Sequence, residues 1–227
     1  MTFTQHTIAL LFLSALLVHF EIAEASDDAV AVVEGAALIK AAPRQGDTYA
    51  NPGESLSHGS FGVRVPFMLR RLGTYFRDGR NAPEQQTPDT AQLRSYVKDG
   101  PPTVTWIGHS TLLVQMGGLT FLTDPIWSNI PSPLPPLGPR RFVPPAVAIN
   151  ELPTIDFVMI SHNHYDHLDL PTLRVLAGRN PQTLFLVPLG NAALLQRHGI
   201  DNVRELDWGE SVELAGLTVH CLPAQHW

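Results

Sequence analysis

Three histidines and one aspartate fall within six residues, as His162-x-His164-x-Asp166-His167. Imidazole and carboxylate at this density are the donor set of a zinc site, and less strongly of an iron or manganese site. The run Ile155–Ile160 just before them is almost entirely apolar, as expected of a buried strand. The donors therefore stand at a strand's C-terminal mouth, where α/β sheets build ligand sites. On extended chain, alternate side chains point the same way. His162 and His164 can converge on one cation, and Asp166 and His167, past the bend, can address a second position. A metal with an open coordination position lowers the pKa of bound water towards neutrality and generates hydroxide there. The pattern predicts metal binding rather than a surface loop that happens to be rich in histidine.

The flanking sequence supplies the elements that position these donors. Thr103–Ile107 and Thr111–Met116 are apolar and β-branched, separated by Gly108, His109 and Ser110, and Leu119–Thr123 follows a Gly117-Gly118 turn. Pro171–Ala177 reads as a helix with proline in its first turn. Leu184–Val187 is a strand, and Asn191–His198 is a short helix closed by Gly199. Val203–Leu206, Ser211–Leu214 and Leu217–Leu222 are further strands, the last two joined by Ala215-Gly216. Strands alternate with helices and include hairpins, so the class is α/β or α+β. Eight of the 20 prolines lie between Pro125 and Pro145, which makes that segment a semi-rigid loop suited to walling a cleft.

The 227 residues suffice for one sizeable domain, and 44% hydrophobic with 16% charged residues excludes a disordered chain or a multi-span membrane protein. A net charge of -6 leaves no basic footprint for nucleic acid. The lone cysteine, Cys221, excludes an internal disulfide and reads as a buried core thiol. Ile8–Phe20 is a 13-residue apolar run followed by Ala23-Glu24-Ala25. That is the pattern of a secretory signal or membrane anchor over residues 1–25, although residues 1–6 carry no Lys or Arg. The expectation is an exported, periplasmic or membrane-associated protein. Residues 26–99 read as an N-terminal extension with a linker at Asn81–Asp89, and residues 100–227 as the main domain. Within the extension, Asp27–Ala42 reads as one helix. Val63–Phe76 interleaves apolar residues with Arg64, Arg70 and Arg71. It is expected to pack its apolar face on the core, with contact at a membrane surface as the alternative.

The chain resembles metallo-β-lactamase fold hydrolases, first through His162-x-His164-x-Asp166-His167. A longer series resembles the N-acyl-phosphatidylethanolamine-hydrolysing phospholipase D group within them. It comprises Trp106-Ile107-Gly108-His109-Ser110-Thr111, Leu122-Thr123-Asp124-Pro125, Gly138-Pro139-Arg140-Arg141-Phe142, Leu152-Pro153-Thr154-Ile155-Asp156 and the run Ser161–Asp169. Val187-Pro188-Leu189-Gly190, Glu205-Leu206-Asp207-Trp208 and Pro223-Ala224-Gln225-His226-Trp227 complete it, over about residues 100–227. The resemblance implies an αββα sandwich with the site at the edge between its two sheets. It implies two zinc ions, one held by His162, His164 and His226 and the other by Asp166 and His167. Asp166 and His167 then belong to the catalytic centre, where water activated between the metals attacks a phosphodiester. The substrate implied is N-acyl-phosphatidylethanolamine or a related phospholipid.

The fold's second half, with a bridging aspartate and a last histidine, follows the position of His226 in that family, and this sequence stops one residue later. The expectation is a sandwich truncated after its first half, holding zinc less well, poorly active alone and prone to associate into oligomers. Other readings are a lactone or amide hydrolase, since the same centre attacks several electrophiles, and an inactive metal-binding fragment. Around the donors, His109 stands either behind the ligands or as a hydrogen-bonded turn residue. Asp124 either holds a ligand histidine or makes an Asx turn before Pro125. Tyr165 and Trp227 either line the cleft or pack. Asp169 reads as the cap of the following helix, Arg140 and Arg141 as phosphate contacts or solvated surface, and His198 and His220 as structural.

Overall fold

A computed structural model describes residues 8–10, 18–20, 39–46, 48–50, 60–75, 84, 86–134, 138 and 140–224. Most of the expected signal segment lies outside them; its described parts, β1 (Ile8–Leu10) and β2 (Val18–Phe20), form an antiparallel pair. No helix among the described residues is long and apolar enough to cross a membrane. The helix expected over Asp27–Ala42 falls largely outside the described residues, and its last four positions, Ile39–Ala42, are not helical. They run instead into a small hairpin of β3 (Arg44–Gln45) and β4 (Thr48–Tyr49).

Alternation of apolar side chains over residues 103–123 produces the antiparallel meander β5 (Thr103–Gly108), β6 (Thr111–Met116) and β7 (Leu119–Thr123). β8 (Phe157–Met159), β9 (Leu184–Pro188) and β10 (Val203–Leu206) then add in parallel, giving one six-stranded sheet of order β10-β9-β8-β7-β6-β5. Helices α3 (Leu170–Arg179) and α4 (Ala192–Gln196) connect the parallel strands. A parallel sheet must be covered on both faces, and alternate residues of its central strands feed two cores. Leu113, Leu122, Val158, Phe185 and Val187 face Leu173, Leu176 and Leu195 of the helices. Leu112, Val114, Phe121, Phe157, Met159 and Leu186 face Val212, Leu217 and Val219. Those last residues belong to a hairpin of β11 (Ser211–Leu214) and β12 (Leu217–His220). The described layers are helices, mixed sheet and hairpin, a mixed α/β arrangement around one central sheet.

The helix over residues 63–76 forms as α1 (Phe61–Tyr75), but the apolar side chains described on it do not reach the core. Phe61, Val63, Val65, Phe67 and Leu69 are all exposed. By contrast, α2 (Thr90–Arg94), within the expected extension, docks on the domain. The Asp89 carboxylate caps it by accepting from Ala91 N, Leu93 is buried in the helix-side core, and Arg94 donates to the Glu151 carbonyl.

Cys221 is buried under the hairpin, and its thiol faces the Leu206 carbonyl. Burial, with the carboxylates of Asp207 and Glu210, pushes its pKa up to about 11. A thiol that is neither ionised nor accessible does not react as a nucleophile. Native protein at pH 8 is therefore expected to leave a chromogenic disulfide reagent unreacted, while denatured protein consumes one equivalent. Rapid labelling of the native chain would contradict the buried placement.

Candidate metal centre

The donor-rich loop leaves the sheet between two parallel strands. Ile160 N donates to the Leu186 carbonyl, and Asp124 N, just past β7, donates to the Met159 carbonyl. The chain then closes a turn in which His167 N and Leu168 N both donate to the His164 carbonyl. Because β6 runs antiparallel to β7 and pairs Leu112 with Thr123, the β5–β6 turn lies at the same sheet end. Topology thus delivers residues 109, 124 and 161–167 to one edge.

Asp124 organises this edge. It is 6% exposed and takes a left-handed φ of 37°. Its Oδ1 accepts from Ser161 N at 2.6 Å, and its Oδ2 accepts from Ser161 Oγ at 2.7 Å and from His167 Nδ1 at 2.8 Å. The carboxylate therefore fixes His167 with Nδ1 protonated, leaving Nε2 as the donor atom. The Ser161 hydroxyl spends its proton on Asp124, so it accepts from His162 Nδ1, 2.9 Å away. That selects the His162 tautomer whose Nε2 carries the lone pair. Of the two sequence readings of Asp124, the structure supports the one in which it holds a histidine. The sequence shows Ser161 only as the first residue of the Ser161–Asp169 run and assigns it no role, because a serine preceding a histidine carries no distinctive signal.

The donor atoms gather in two groups. His162 Nε2 lies 3.1 Å from His164 Nδ1. Two nitrogens bound to one tetrahedral ion at zinc distances are separated by about 3.3 Å, so this spacing fits a shared cation. His109 Nε2 lies 3.1 Å and His167 Nε2 3.8 Å from Asp166 Oδ2. One donor atom from each of His109, Asp166 and His167 falls within 4.8 Å of the others, a spacing that one metal ion can bridge. The two groups adjoin, since the rings of His162 and His167 are 4.1 Å apart. The donor chemistry and its spacing fit a divalent metal.

Electrostatics favour the ligating forms unevenly. The His109 hydrogen bond, against opposition from burial and with help from the charge of His167, holds the Asp166 carboxyl well below the usual carboxylate range. Burial alone would lower the pKa of His167, but its hydrogen bond to Asp124 and the charges of Asp124 and Asp166 raise it. A metal at His167 must therefore displace a proton.

Tyr165 is exposed between the donors. His226 and Trp227 lie outside the described residues. Asp169 does not cap α3 as expected. Its carboxylate accepts instead from Thr172 Oγ1, Ser128 Oγ and the backbone N–H groups of Trp127 and Ser128, tying the proline-rich loop to the helix start. Arg141 is neither free surface nor an open phosphate contact. Its guanidinium donates to the carbonyls of Ile126 and Ser128, bracing the same loop. His198 Nδ1 contacts the Leu194 carbonyl, a local structural role.

Residues 120–227 match the family model described as a Beta-lactamase superfamily domain. An uncharacterized protein of Mycobacterium tuberculosis is 48% identical over 126 residues, covering 55% of this chain and 34% of its own. The N-acyl-phosphatidylethanolamine-hydrolyzing phospholipase D 1 of Caenorhabditis elegans is 42% identical over 131 residues, 54% of this chain and 37% of its own. A UPF0173 metal-dependent hydrolase of Methanopyrus kandleri is 28% identical over 124 residues, 54% of this chain and 46% of its own. The chain spans about a third of the length of the first two and under half of the third.

Proposed function

We propose that residues 120–227 carry a metal-dependent hydrolase domain of the metallo-β-lactamase superfamily, and that the protein hydrolyses the phosphodiester of N-acyl-phosphatidylethanolamine or a related lipid with zinc as its metal. The observation that carries the reading is the convergence of His109, His162, His164, Asp166 and His167 at one sheet edge. A divalent metal there supplies Lewis acidity and a lowered pKa for water. The chain's own residues hold the donors in place. Asp124 and Ser161 set the tautomers of His167 and His162, and His109 engages Asp166.

The lipid part of the reading rests on the 42% identity with the nematode phospholipase and on α1. From residue 61 to residue 77 the sequence has four arginines and no acidic residue, within a chain of net charge -6. Phe61 is 83% and Leu69 62% exposed on the same helix. Exposed apolar side chains beside the exposed Arg70, on a segment whose sequence is basic, suit a bilayer carrying anionic lipid. The apolar run Ile8–Phe20 and Ala23-Glu24-Ala25 support an exported or membrane-associated location.

The test is release of the head-group alcohol from N-acyl-phosphatidylethanolamine vesicles by the purified protein. Turnover, expected to be low for these 227 residues alone, should vanish with a chelator and return with Zn2+. The similarity to a UPF0173 metal-dependent hydrolase, whose name specifies no bond, keeps a second reading open, hydrolysis of a bond other than a phosphodiester such as a lactone. Lactone turnover without phosphodiester turnover would establish it and sink the first.

A further inference from the structure

We propose that the Gly108–His109–Ser110 turn is a positioning element of the metal centre: His109 fixes the carboxylate of Asp166, and Trp106 fixes His109. The inference rests on the reading that the centre binds a metal. His109 and Asp166 are both about half exposed, with side-chain exposures of 47% and 44%. Between exposed groups such a pair is ordinarily weak, because water competes and two side chains must be held still. Here the backbone does the holding.

Four observations show it. The β5–β6 register pairs Trp106 with Leu112 but Gly108 with Thr111, which places one extra residue, Ile107, in β5. A bulge of this kind re-aims the side chains that follow it, and Ile107 is anchored in the helix-side core. His109 takes φ 51°, a left-handed conformation uncommon for any residue but glycine. The Trp106 indole Nε1 donates to the His109 carbonyl at 2.9 Å although the residue is 67% exposed. Finally, the turn is tied to Asp124. Thr123 Oγ1 donates to the Ser110 carbonyl, and Thr111 Oγ1 donates to the Asp124 carbonyl, each at 2.8 Å. The turn that aims His109 at Asp166 is thus braced against the residue that aims His167. Asp166 stands between the two histidines, with one carboxylate oxygen facing both.

His109→Asn tolerates the left-handed backbone but is too short to reach Asp166. His109→Ala removes the ring, and Trp106→Phe keeps an aromatic ring without its N–H. Competition with a chromophoric chelator gives Zn2+ affinity, the Co2+ ligand-field spectrum reports the ligand set, and thermal melting of metal-free protein reports the fold. Both His109 variants are expected to bind Zn2+ about tenfold more weakly, and Trp106→Phe several-fold more weakly. Metal-free His109→Asn and Trp106→Phe should melt with wild type, while His109→Ala should melt lower because alanine tolerates the left-handed backbone poorly. All three should give a Co2+ spectrum of unchanged shape. Wild-type affinity in all three variants would overturn the proposal. So would a Co2+ spectrum showing a lost ligand, which would make His109 part of the coordination sphere itself. Wild-type protein that takes up no Zn2+ would overturn the metal reading along with it.

Discussion

Asp124→Ala is expected to weaken Zn2+ binding about 10–100-fold and to cost on the order of 3 kcal/mol of stability. The carboxylate is buried and serves three donors, Ser161 N, Ser161 Oγ and His167 Nδ1. Alanine leaves all three without their acceptor and must still adopt a positive φ, which a Cβ without a polar side chain tolerates poorly. His167 then loses the tautomer that presents Nε2, and His162 loses the serine that selects its own. Asp124→Asn separates the two effects. Its carbonyl can still accept from Ser161 N, but its NH2 opposes the remaining donors, so affinity should fall further than stability. In metal-free protein the sign with pH follows from His167. A pKa raised by folding gives stability that is present on the acid side and lost as pH rises through that pKa. The alanine variant's deficit should therefore shrink as pH rises through that range. Chelator competition and urea unfolding at two pH values measure these effects. Unchanged Zn2+ affinity in Asp124→Ala would show that His167 is held by something else.

Phe121→Ala is expected to destabilise the fold by about 3–5 kcal/mol. Phe121 is fully buried on the central strand β7 and stacks on Phe157 of β8, with ring centroids 4.4 Å apart and planes 16° from parallel. Both rings lie in the core between sheet and hairpin. Alanine leaves a void bounded by a rigid strand on one side and β11–β12 on the other, where little can collapse inward. Phe121→Leu, which refills most of the volume, should cost about 1.5 kcal/mol or less. Urea midpoints decide the matter, and a loss under 1 kcal/mol for the alanine variant would mean the hairpin does not seal that face. The damage should reach the centre, because β7 ends at Thr123, next to Asp124.

Periodicity made the sheet legible. Thr111–Met116, Leu119–Thr123, Val203–Leu206 and Ser211–Leu214 form as strands with the bounds that alternation and turn glycines assign. Where the apolar run continues past the hydrogen-bonded part, the strand is shorter, as at Ile155–Ile160, which pairs only over Phe157–Met159. The short helix after Gly190 likewise contracts to Ala192–Gln196. The donor loop was legible because metal chemistry concentrates residue types locally. Partnerships across long separations were not. Asp169 stands 41 residues from Ser128 and Arg141 15 from Ile126, and neither pairing leaves a local pattern. Local logic made Asp169 a cap, yet the loop carbonyls and N–H groups needed partners more than the helix did. The apolar face of α1 shows the same limit in reverse, since amphipathic spacing says that a face needs a partner and not which one.

The donor loop is held at both ends by a carboxylate under cover, Asp124 at Ser161 and Asp169 at the entry to α3. Metals that fold their own sites must first gather the ligands from a chain free to wander. Here sheet, helix and two acids have already taken that freedom during folding. Capture is left mainly with removing water and protons, so uptake should behave as a docking event rather than a folding one.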